Sequence, residues 1–325
     1  SSYYGMPYTI HTNNLGFRDS SVKKLDLSKK YSILIGDSFV EGVAADYEDT
    51  IVGVLNNKLG KKIQSFEFLN AGVSSYSSYI YLKKMKTILT ENPLLKVKSV
   101  VLFMDKSDIK DDLQYLNKPT KFIDTKRKYQ NYRKADFKKD LLELNLWRFY
   151  SKQTISGSFL KIIGDKIEYF LRDLRDKFKL SKILKKSFFK ITKDQTDALR
   201  SINNRRFIAN YFYGKNWETL GKKSANFSIE NLLELKKFLD NKNIEMIVIL
   251  YPWSFEIVDP IPRNNYVSFM ENSLNKNNIK YLNLYSLFLS EEPYLTVSRN
   301  FIFNDIHYNS KGNYLIAEYL FGAIN

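Results

Sequence analysis

The sequence contains no cysteine and only two histidines among its 325 residues. The absence of cysteine excludes disulfide bonds, thiolate metal ligands and a cysteine nucleophile. The two histidines, His11 and His307, are too few for a metal centre built on several imidazole ligands. They also leave very few candidates for a histidine that transfers protons during catalysis.

Long apolar runs are missing as well. No stretch approaches the roughly 18 unbroken apolar residues that indicate a transmembrane helix, and the N-terminus lacks the pattern of a signal peptide. The chain begins Ser1-Ser2-Tyr3-Tyr4 without an initiator methionine, so we expect that a leader, an anchor or a further domain preceded it. This favours a protein outside the cytoplasm, either periplasmic or membrane-associated, and leaves a cytoplasmic location open.

Acidic residues are outnumbered, since 51 Lys and Arg face 35 Asp and Glu and the formal net charge is +16. The basic residues concentrate between Lys121 and Lys193. Such a region attracts nucleic acid, anionic lipid headgroups or an acidic polysaccharide, but it also fits a solvated face without a partner. Because no signature of a nucleic-acid-binding module is found, we expect no nucleic-acid partner. An anionic glycan and a membrane surface stay open.

Short apolar runs alternate with helix-like patterns along much of the chain. Five buried strands are predicted at residues 31–35, 66–70, 97–104, 244–250 and 279–284, with helices over about 40–59 and 310–321. Alternating strands and helices predict a parallel sheet covered by helices on both faces. We therefore expect a three-layer α/β/α fold, flavodoxin-like, with about five strands.

The chain divides into four predicted parts. Residues 1–29 form an N-terminal segment that packs on the core. Residues 30–112 and 228–325 form the two parts of the α/β domain. Between them, residues 113–227 show apolar residues at helical spacing among many basic ones and no strand pattern. This stretch is too long for a plain loop, so it is predicted to be a mainly helical, basic insertion.

Two segments that are far apart in sequence carry the residues for nucleophilic chemistry. Gly36, Asp37 and Ser38 lie between the first predicted strand and a helix, a turn that exposes a hydroxyl at the carboxyl end of the strand. Ser38 alone fits a helix N-cap equally well, because serine is a poor nucleophile without a positioned base. Asp305 and His307 precede the final helix, and a loop there can fold back over the strand ends. His307 is then able to accept the Ser38 proton while Asp305 orients the imidazole.

Three motifs together resemble the SGNH (GDSL-like) hydrolase superfamily. They are Gly36-Asp37-Ser38-Phe39 after the first strand, Asn70-Ala71-Gly72 after the second, and an Asp-and-His pair followed by Asn-x-x-Gly before the last helix. The resemblance covers about residues 30–112 and 243–325. It implies a serine hydrolase without metal or cofactor, with a triad of Ser38, His307 and Asp305. It also implies that backbone N–H groups of Ser38 and Gly72 bind the oxyanion.

The sequence departs from the pattern of that family at two places. Ser107, in Asp105-Lys106-Ser107-Asp108, stands where the family has an asparagine that donates to the oxyanion. Losing one such donor typically costs on the order of 100- to 1000-fold in rate, so either Ser107 substitutes or activity is low. Secondly, the acid usually lies three residues before the histidine, where this chain has Asn304. The Asp-x-His form resembles SGNH-like proteins that acetylate exopolysaccharides.

These similarities predict an esterase that acts on O-acyl esters, O-acetyl esters above all, of a carbohydrate or another small substrate. Two alternatives stay open. One is an O-acyltransferase that modifies a cell-surface or secreted glycan and receives acyl groups from a membrane partner. The other is a catalytically weak protein that keeps the fold as a binding module or scaffold.

Four further residues are predicted to contact substrate. Asp37 adjoins the nucleophile, and Arg18 lies in an Asn-Asn-Leu-Gly-Phe-Arg segment that resembles one preceding the nucleophile strand in some extracytoplasmic SGNH proteins. Tyr251 and Trp253 follow the fourth strand and point to the same rim, where aromatic rings stack on sugars. The alternative for Arg18 is a turn whose Phe17 packs into the core, and for the aromatic pair it is simple loop packing.

Two other groups of residues receive a structural interpretation. His11 is predicted to be an ordinary surface or turn histidine. The acidic residues Asp108, Asp111 and Asp112 suggest a cation site, but capping of the helix after the third strand is the favoured interpretation.

Overall fold

The computed structural model describes residues 2–3, 6–59, 65–116, 217–258, 263–289, 292–303 and 305–324. These residues belong to a compact unit formed by residues 1–117 and 191–325. Most of the predicted insertion at residues 113–227 lies outside the described residues, so the prediction of a basic helical insertion stays a prediction.

A mixed sheet forms the centre of the described unit. Its seven strands among the described residues run in the spatial order β3-β4-β6-β5-β7-β8-β9. The strands are β3 (His11–Thr12), β4 (Arg18–Asp19), β5 (Lys30–Ile35), β6 (Phe66–Asn70), β7 (Lys96–Met104), β8 (Glu245–Leu250) and β9 (Lys280–Asn283). A separate hairpin pairs β1 (Ser2–Tyr3) with β2 (Met6–Pro7).

The five strands predicted from the sequence are the five parallel strands of this sheet. Numbered among themselves in chain order, they are arranged 2-1-3-4-5, which is the flavodoxin-like order. The predicted α/β fold class is therefore confirmed. The strand count is larger than expected because the N-terminal segment adds β3 and β4. These two strands pair antiparallel with each other, and β4 also pairs antiparallel with β6. Strands of two residues show no periodicity that a sequence pattern can reveal.

The central parallel strands β5, β7 and β8 are buried over most of their length, as their nearly continuous apolar sequences require. In β5 every residue except Lys30 is buried, and in β8 every residue except Glu245. Ser32 in β5 and Ser99 in β7 interrupt the apolar run, and their hydroxyl oxygens lie 2.6 Å apart. Each buried hydroxyl thus has a hydrogen-bond partner in the core.

Helices cover the sheet in two groups. They are α1 (Ser38–Glu41), α2 (Ile51–Leu59), α3 (Ser78–Glu91), α4 (Ser107–Leu116), α5 (Lys222–Asp240), α6 (Ser254–Val258), α7 (Arg263–Lys276), α8 (Tyr285–Phe288), α9 (Pro293–Asn300) and α10 (Ser310–Ile324). Helix α5 packs against α3, α4 and α7, whereas α10 packs against α2 and α9. Among the described helices, none combines the length and the apolar character that crossing a membrane requires.

The predicted helix over residues 40–59 is wrong, because the chain breaks after α1. Gly42 ends α1 with a left-handed φ of 78°, and a short 3-10 helix (Tyr47–Asp49) precedes α2. The buried guanidinium of Arg18 donates to the carbonyl oxygens of Glu41, Gly42 and Ala45. In a continuous helix these carbonyl oxygens would accept hydrogen bonds from backbone N–H groups one turn later. Here the Arg18 side chain, from another part of the chain, donates to them instead.

Candidate active site

The turn between β5 and α1 places Ser38 at the carboxyl end of the central strand. Asp37 caps α1, since its Oδ1 accepts from the Phe39 N–H at 3.0 Å. A Cβ on Gly36 would lie 2.6 Å from Val40 Cγ2 and 3.0 Å from Phe103 Cβ, so only glycine fits this turn without displacement. Ser38 itself is partly exposed, which leaves its hydroxyl open to a substrate.

The loop between α9 and α10 brings the predicted base to Ser38. His307 Nε2 lies 2.7 Å from Ser38 Oγ. On the other side of the ring, His307 Nδ1 lies 2.5 Å from Asp305 Oδ1, and Asp305 is only 1% exposed. The structure thus brings together three residues that are separated by up to 269 positions, in the geometry of a nucleophile, a base and an orienting acid.

The histidine loop is held in place by hydrogen bonds that the sequence did not reveal. Ser254 Oγ in α6 donates to the Asp305 carbonyl at 3.0 Å. The Tyr308 hydroxyl donates to the Pro252 carbonyl at 2.8 Å. The segment that follows β8 therefore holds the chain both before and after His307.

The Asn-x-x-Gly motif at the start of α10 has a local structural role. Asn309 Oδ1 accepts from the N–H groups of Lys311 and Gly312, which caps the helix. A Cβ on Gly312 would lie 2.2 Å from the Asn300 carbonyl oxygen, so glycine allows α10 to approach the end of α9. The motif thus sets the start of the helix that follows His307.

The imidazole of His307 packs against an aromatic cluster. The Phe39 ring centroid lies 4.6 Å from that of His307, 4.9 Å from Tyr251 and 5.3 Å from Tyr308. Phe39 follows Ser38 directly, so this contact couples the ring of the base to the helix of the nucleophile. Aromatic packing of this kind restricts the orientation of the imidazole.

Two of the three predicted oxyanion donors are engaged by the protein itself. The Gly72 N–H donates to Asn70 Oδ1 at 3.1 Å, and the Ser107 hydroxyl and N–H both donate to Asp105 Oδ1 at 2.6 Å. The assignment of Gly72 and Ser107 as donors is therefore not what the structure shows. The Ser38 N–H, by contrast, has no acceptor among the described residues.

Gly72 is instead a site of close backbone approach. A Cβ there would lie 2.3 Å from the Glu41 nitrogen and 2.6 Å from the Val40 carbonyl carbon. Beyond it, Ser74 donates through its N–H and its hydroxyl to the Glu41 carboxylate. Ser75 adopts a φ of 63°, which is unusual for a residue with a side chain. Strained backbone of this kind often occurs at functional sites.

The predicted substrate contacts of Arg18, Tyr251 and Trp253 are wrong. All three are buried, with 4%, 2% and 1% exposure. Arg18 binds backbone carbonyls, as described above. The Tyr251 hydroxyl and the Trp253 Nε1–H both donate to Asp105 Oδ2 at 2.8 Å, so these rings support the strand ends from inside and do not face a sugar.

Asp37 lies between the nucleophile and this buried polar network. It is 4% exposed, so its predicted contact with substrate is wrong as well. Its Oδ2 is 3.5 Å from Ser38 Oγ. Burial, followed by the nearby charge of Asp105, raises the pKa of Asp37 well above its ordinary value. The carboxyl group of Asp37 therefore keeps its proton to a higher pH than an ordinary aspartate does.

Asp108 and Asp112 bind donors of the protein, and Asp111 is partly exposed in α4. Asp108 Oδ2 accepts from the Asp105 N–H at 3.1 Å, in the first turn of α4. Asp112 accepts from the hydroxyls of Ser78 and Ser228 at 2.5 and 2.6 Å. These contacts tie α4 to α3 and α5, which agrees with a structural role. His11 lies exposed in β3.

The structure of this chain is similar to several solved structures of other proteins. No family model matches the sequence, and no curated protein matches it either. An acetyl xylan esterase, AlAXEase, is 15% identical with a TM-score of 0.47 over 91% of this chain and 100% of that chain. A lipolytic protein of the G-D-S-L family from Veillonella parvula DSM 2008 is 11% identical with a TM-score of 0.41, over 90% and 97% of the two chains. The esterase EstA from Pseudoalteromonas sp., in a structure inhibited by monoethylphosphonate, is 11% identical with a TM-score of 0.41, over 90% and 96%.

Proposed function

We propose that the protein is a serine esterase of the SGNH type whose nucleophile is Ser38. The observation that carries this proposal is the continuous hydrogen-bonded series from Asp305 through His307 to Ser38, with distances of 2.5 and 2.7 Å. A partly exposed serine at a strand end, bonded to a buried and oriented histidine, is the arrangement that activates a hydroxyl.

The reaction begins with Ser38 Oγ attacking the carbonyl carbon of an ester while its proton passes to His307 Nε2. Asp305 accepts from His307 Nδ1 and stabilises the imidazolium that forms. His307 then gives the proton to the oxygen of the leaving alcohol, and an acyl-enzyme on Ser38 remains. Water attacks this intermediate, with His307 again as the base, and releases the acid.

The negative charge on the carbonyl oxygen needs donors, and we propose two backbone N–H groups for this role. The first is that of Ser38. The second is that of Ser75, which has no acceptor among the described residues and follows Ser74, the residue bound to Glu41 in the helix of the nucleophile. Ser75 thereby replaces Gly72 in the proposal. Preorganised N–H groups of this kind stabilise the tetrahedral intermediate.

The favoured substrate is an O-acetyl ester on a carbohydrate. The support for it is the Asp305-Ile306-His307 sequence, which resembles that of SGNH-like proteins that acetylate exopolysaccharides. Transfer of the acyl group from Ser38 to a sugar hydroxyl, in place of water, uses the same residues. Product analysis separates the two, because hydrolysis releases free acetate and transfer gives an acetylated glycan without net release.

A fluorophosphonate probe tests the nucleophile directly. The wild-type protein becomes labelled on Ser38, and Ser38→Ala is not labelled. His307→Ala loses labelling and ester turnover by about 1000-fold or more, because the hydroxyl loses its base. His11→Ala is the matched control: it removes the other histidine, which is exposed, and retains both properties. An unlabelled wild type that turns over no acetyl ester refutes the proposal.

A further inference from the structure

Two groups lie within reach of the Ser38 hydroxyl, which has a single proton. His307 Nε2 is 2.7 Å from Ser38 Oγ, and Asp37 Oδ2 is 3.5 Å from the same atom. His307 Nδ1–H donates to Asp305, so in the neutral ring Nε2 carries the lone pair and accepts the Ser38 proton. Asp37 Oδ2 therefore faces a lone pair of Ser38 Oγ.

An ionised carboxylate is unfavourable at this position. Its charge repels the Oγ lone pair, and it repels the oxygen more strongly once the proton has moved to His307 and negative charge develops. A protonated Asp37 reverses the sign of the interaction, because its O–H can donate to Oγ. Because the single proton of Ser38 goes to His307, Asp37 interacts favourably with Ser38 Oγ only when its carboxyl group is protonated. This argument does not depend on the pKa of Asp37.

The neighbouring Asp105 shows where the negative charge of this cluster resides. Its two carboxylate oxygens accept four hydrogen bonds, from the Ser107 N–H and hydroxyl, the Tyr251 hydroxyl and the Trp253 Nε1–H. An anion accepts all four without a proton of its own. Asp37 Oδ1, by comparison, accepts from the Phe39 N–H at 3.0 Å and from the Tyr251 hydroxyl at 3.5 Å. Asp37 thus has fewer donors than Asp105, and the charge of Asp105 is one cause that raises the pKa of Asp37.

We propose that Asp37 is a catalytic residue that stays protonated and donates a hydrogen bond from its carboxyl group to Ser38 Oγ. This inference rests on the proposed esterase function. The hydrogen bond stabilises Oγ while its proton is on His307, both during attack and when Oγ leaves the acyl group in deacylation. The Asp37 O–H bond remains intact, since the transferred proton comes from Ser38 and ends on the leaving alcohol.

The pH dependence of the reaction depends on the titratable groups around Asp37. They are Asp105 after β7, Asp108 and Asp111 in α4, Tyr81 in α3, Tyr251 after β8 and His307 across Ser38. Burial raises the pKa of Asp108 well above its usual range, as it does for Tyr81 and Tyr251. We expect kcat/KM to fall as the pH rises through the raised pKa of Asp37.

The substitution Asp37→Asn tests this assignment, because an amide cannot ionise yet keeps both an acceptor for Phe39 and a donor for Ser38. At neutral pH, the infrared difference spectrum between wild type and Asp37→Asn is expected to show the band of a protonated carboxyl. Asp49→Asn, which changes an exposed aspartate, serves as control: it is expected to remove carboxylate bands and to leave activity unchanged.

The kinetic arm compares Asp37→Asn with Asp37→Ala. We expect the amide to retain kcat within about tenfold and to lose the alkaline limb, and the alanine to lose roughly 100-fold, as for a lost oxyanion donor. Carboxylate bands in the difference spectrum, or an amide as impaired as the alanine, would overturn the role of Asp37. A wild type without esterase activity refutes the proposed function instead, whatever the infrared band shows.

Discussion

Gly72→Ala is the substitution whose effect the structure defines most sharply. The Cβ that it adds would lie 2.3 Å from the Glu41 nitrogen, 2.6 Å from the Val40 carbonyl carbon and 2.8 Å from Val40 Cβ. Glu41 and the Val40 carbonyl contribute backbone atoms, which cannot rotate away as a side-chain end can. The flanking residues are fixed as well, because the N–H groups of Ala71 and Val73 donate to the Leu34 and Gly36 carbonyls of the nucleophile strand and turn.

Relief of the clash requires a shift of about 1 Å between the Gly72 loop and α1, the helix that begins at Ser38. Overpacking of this kind costs about 1–3 kcal/mol in stability. A misplacement of about 1 Å at a catalytic group costs on the order of 100-fold in rate. We therefore expect Gly72→Ala to lower both the free energy of unfolding and kcat/KM, although the alanine keeps the backbone N–H.

Urea unfolding and acetyl-ester hydrolysis measure the two effects, and Gly322→Ala is the control. Gly322 lies in α10 with no atom within 4 Å of an added Cβ, so alanine there is expected to stabilise the protein by about 0.5–1 kcal/mol without changing kcat/KM. A Gly72→Ala protein as stable and as active as wild type would refute the close-approach argument. Lost activity with unchanged stability would show that the added Cβ disturbs the position of Ser38 without a cost in folding.

Two further predictions concern buried lysines. Lys106 is 1% exposed and bonds to the fully buried Glu256, so Lys106→Met leaves that carboxylate unpaired and is expected to cost about 3–5 kcal/mol in urea unfolding. The double variant with Glu256→Gln should recover part of this, and no recovery would contradict the ion pair as the cause. Burial lowers the pKa of Lys84 to about 8, against the partial opposition of Glu41. Because the unfolded chain then binds more protons than the folded one between about pH 8 and 10.5, the stability of wild type relative to Lys84→Met should rise with pH across this window. A flat difference in paired unfolding curves would contradict the shift.

The parallel strands and the candidates for nucleophile, base and acid are recognisable from the amino-acid sequence alone. The strands are recognisable because their burial on both faces requires a continuous apolar run, as in β5 and β8. Ser38, Asp305 and His307 are recognisable because few residue types perform this chemistry and the chain has only two histidines. Local composition is sufficient for both.

The partner of each polar side chain, by contrast, depends on how the chain folds. Arg18 meets the carbonyls that interrupt the predicted helix, the Ser107 hydroxyl binds Asp105, and Tyr251 and Trp253 donate into the same buried carboxylate. A side chain with several possible hydrogen-bond partners binds the one that folding brings within about 3 Å. Since Asp105 and Tyr251 are 146 positions apart, their contact depends on how β7 and β8 align in the sheet, which no local pattern records.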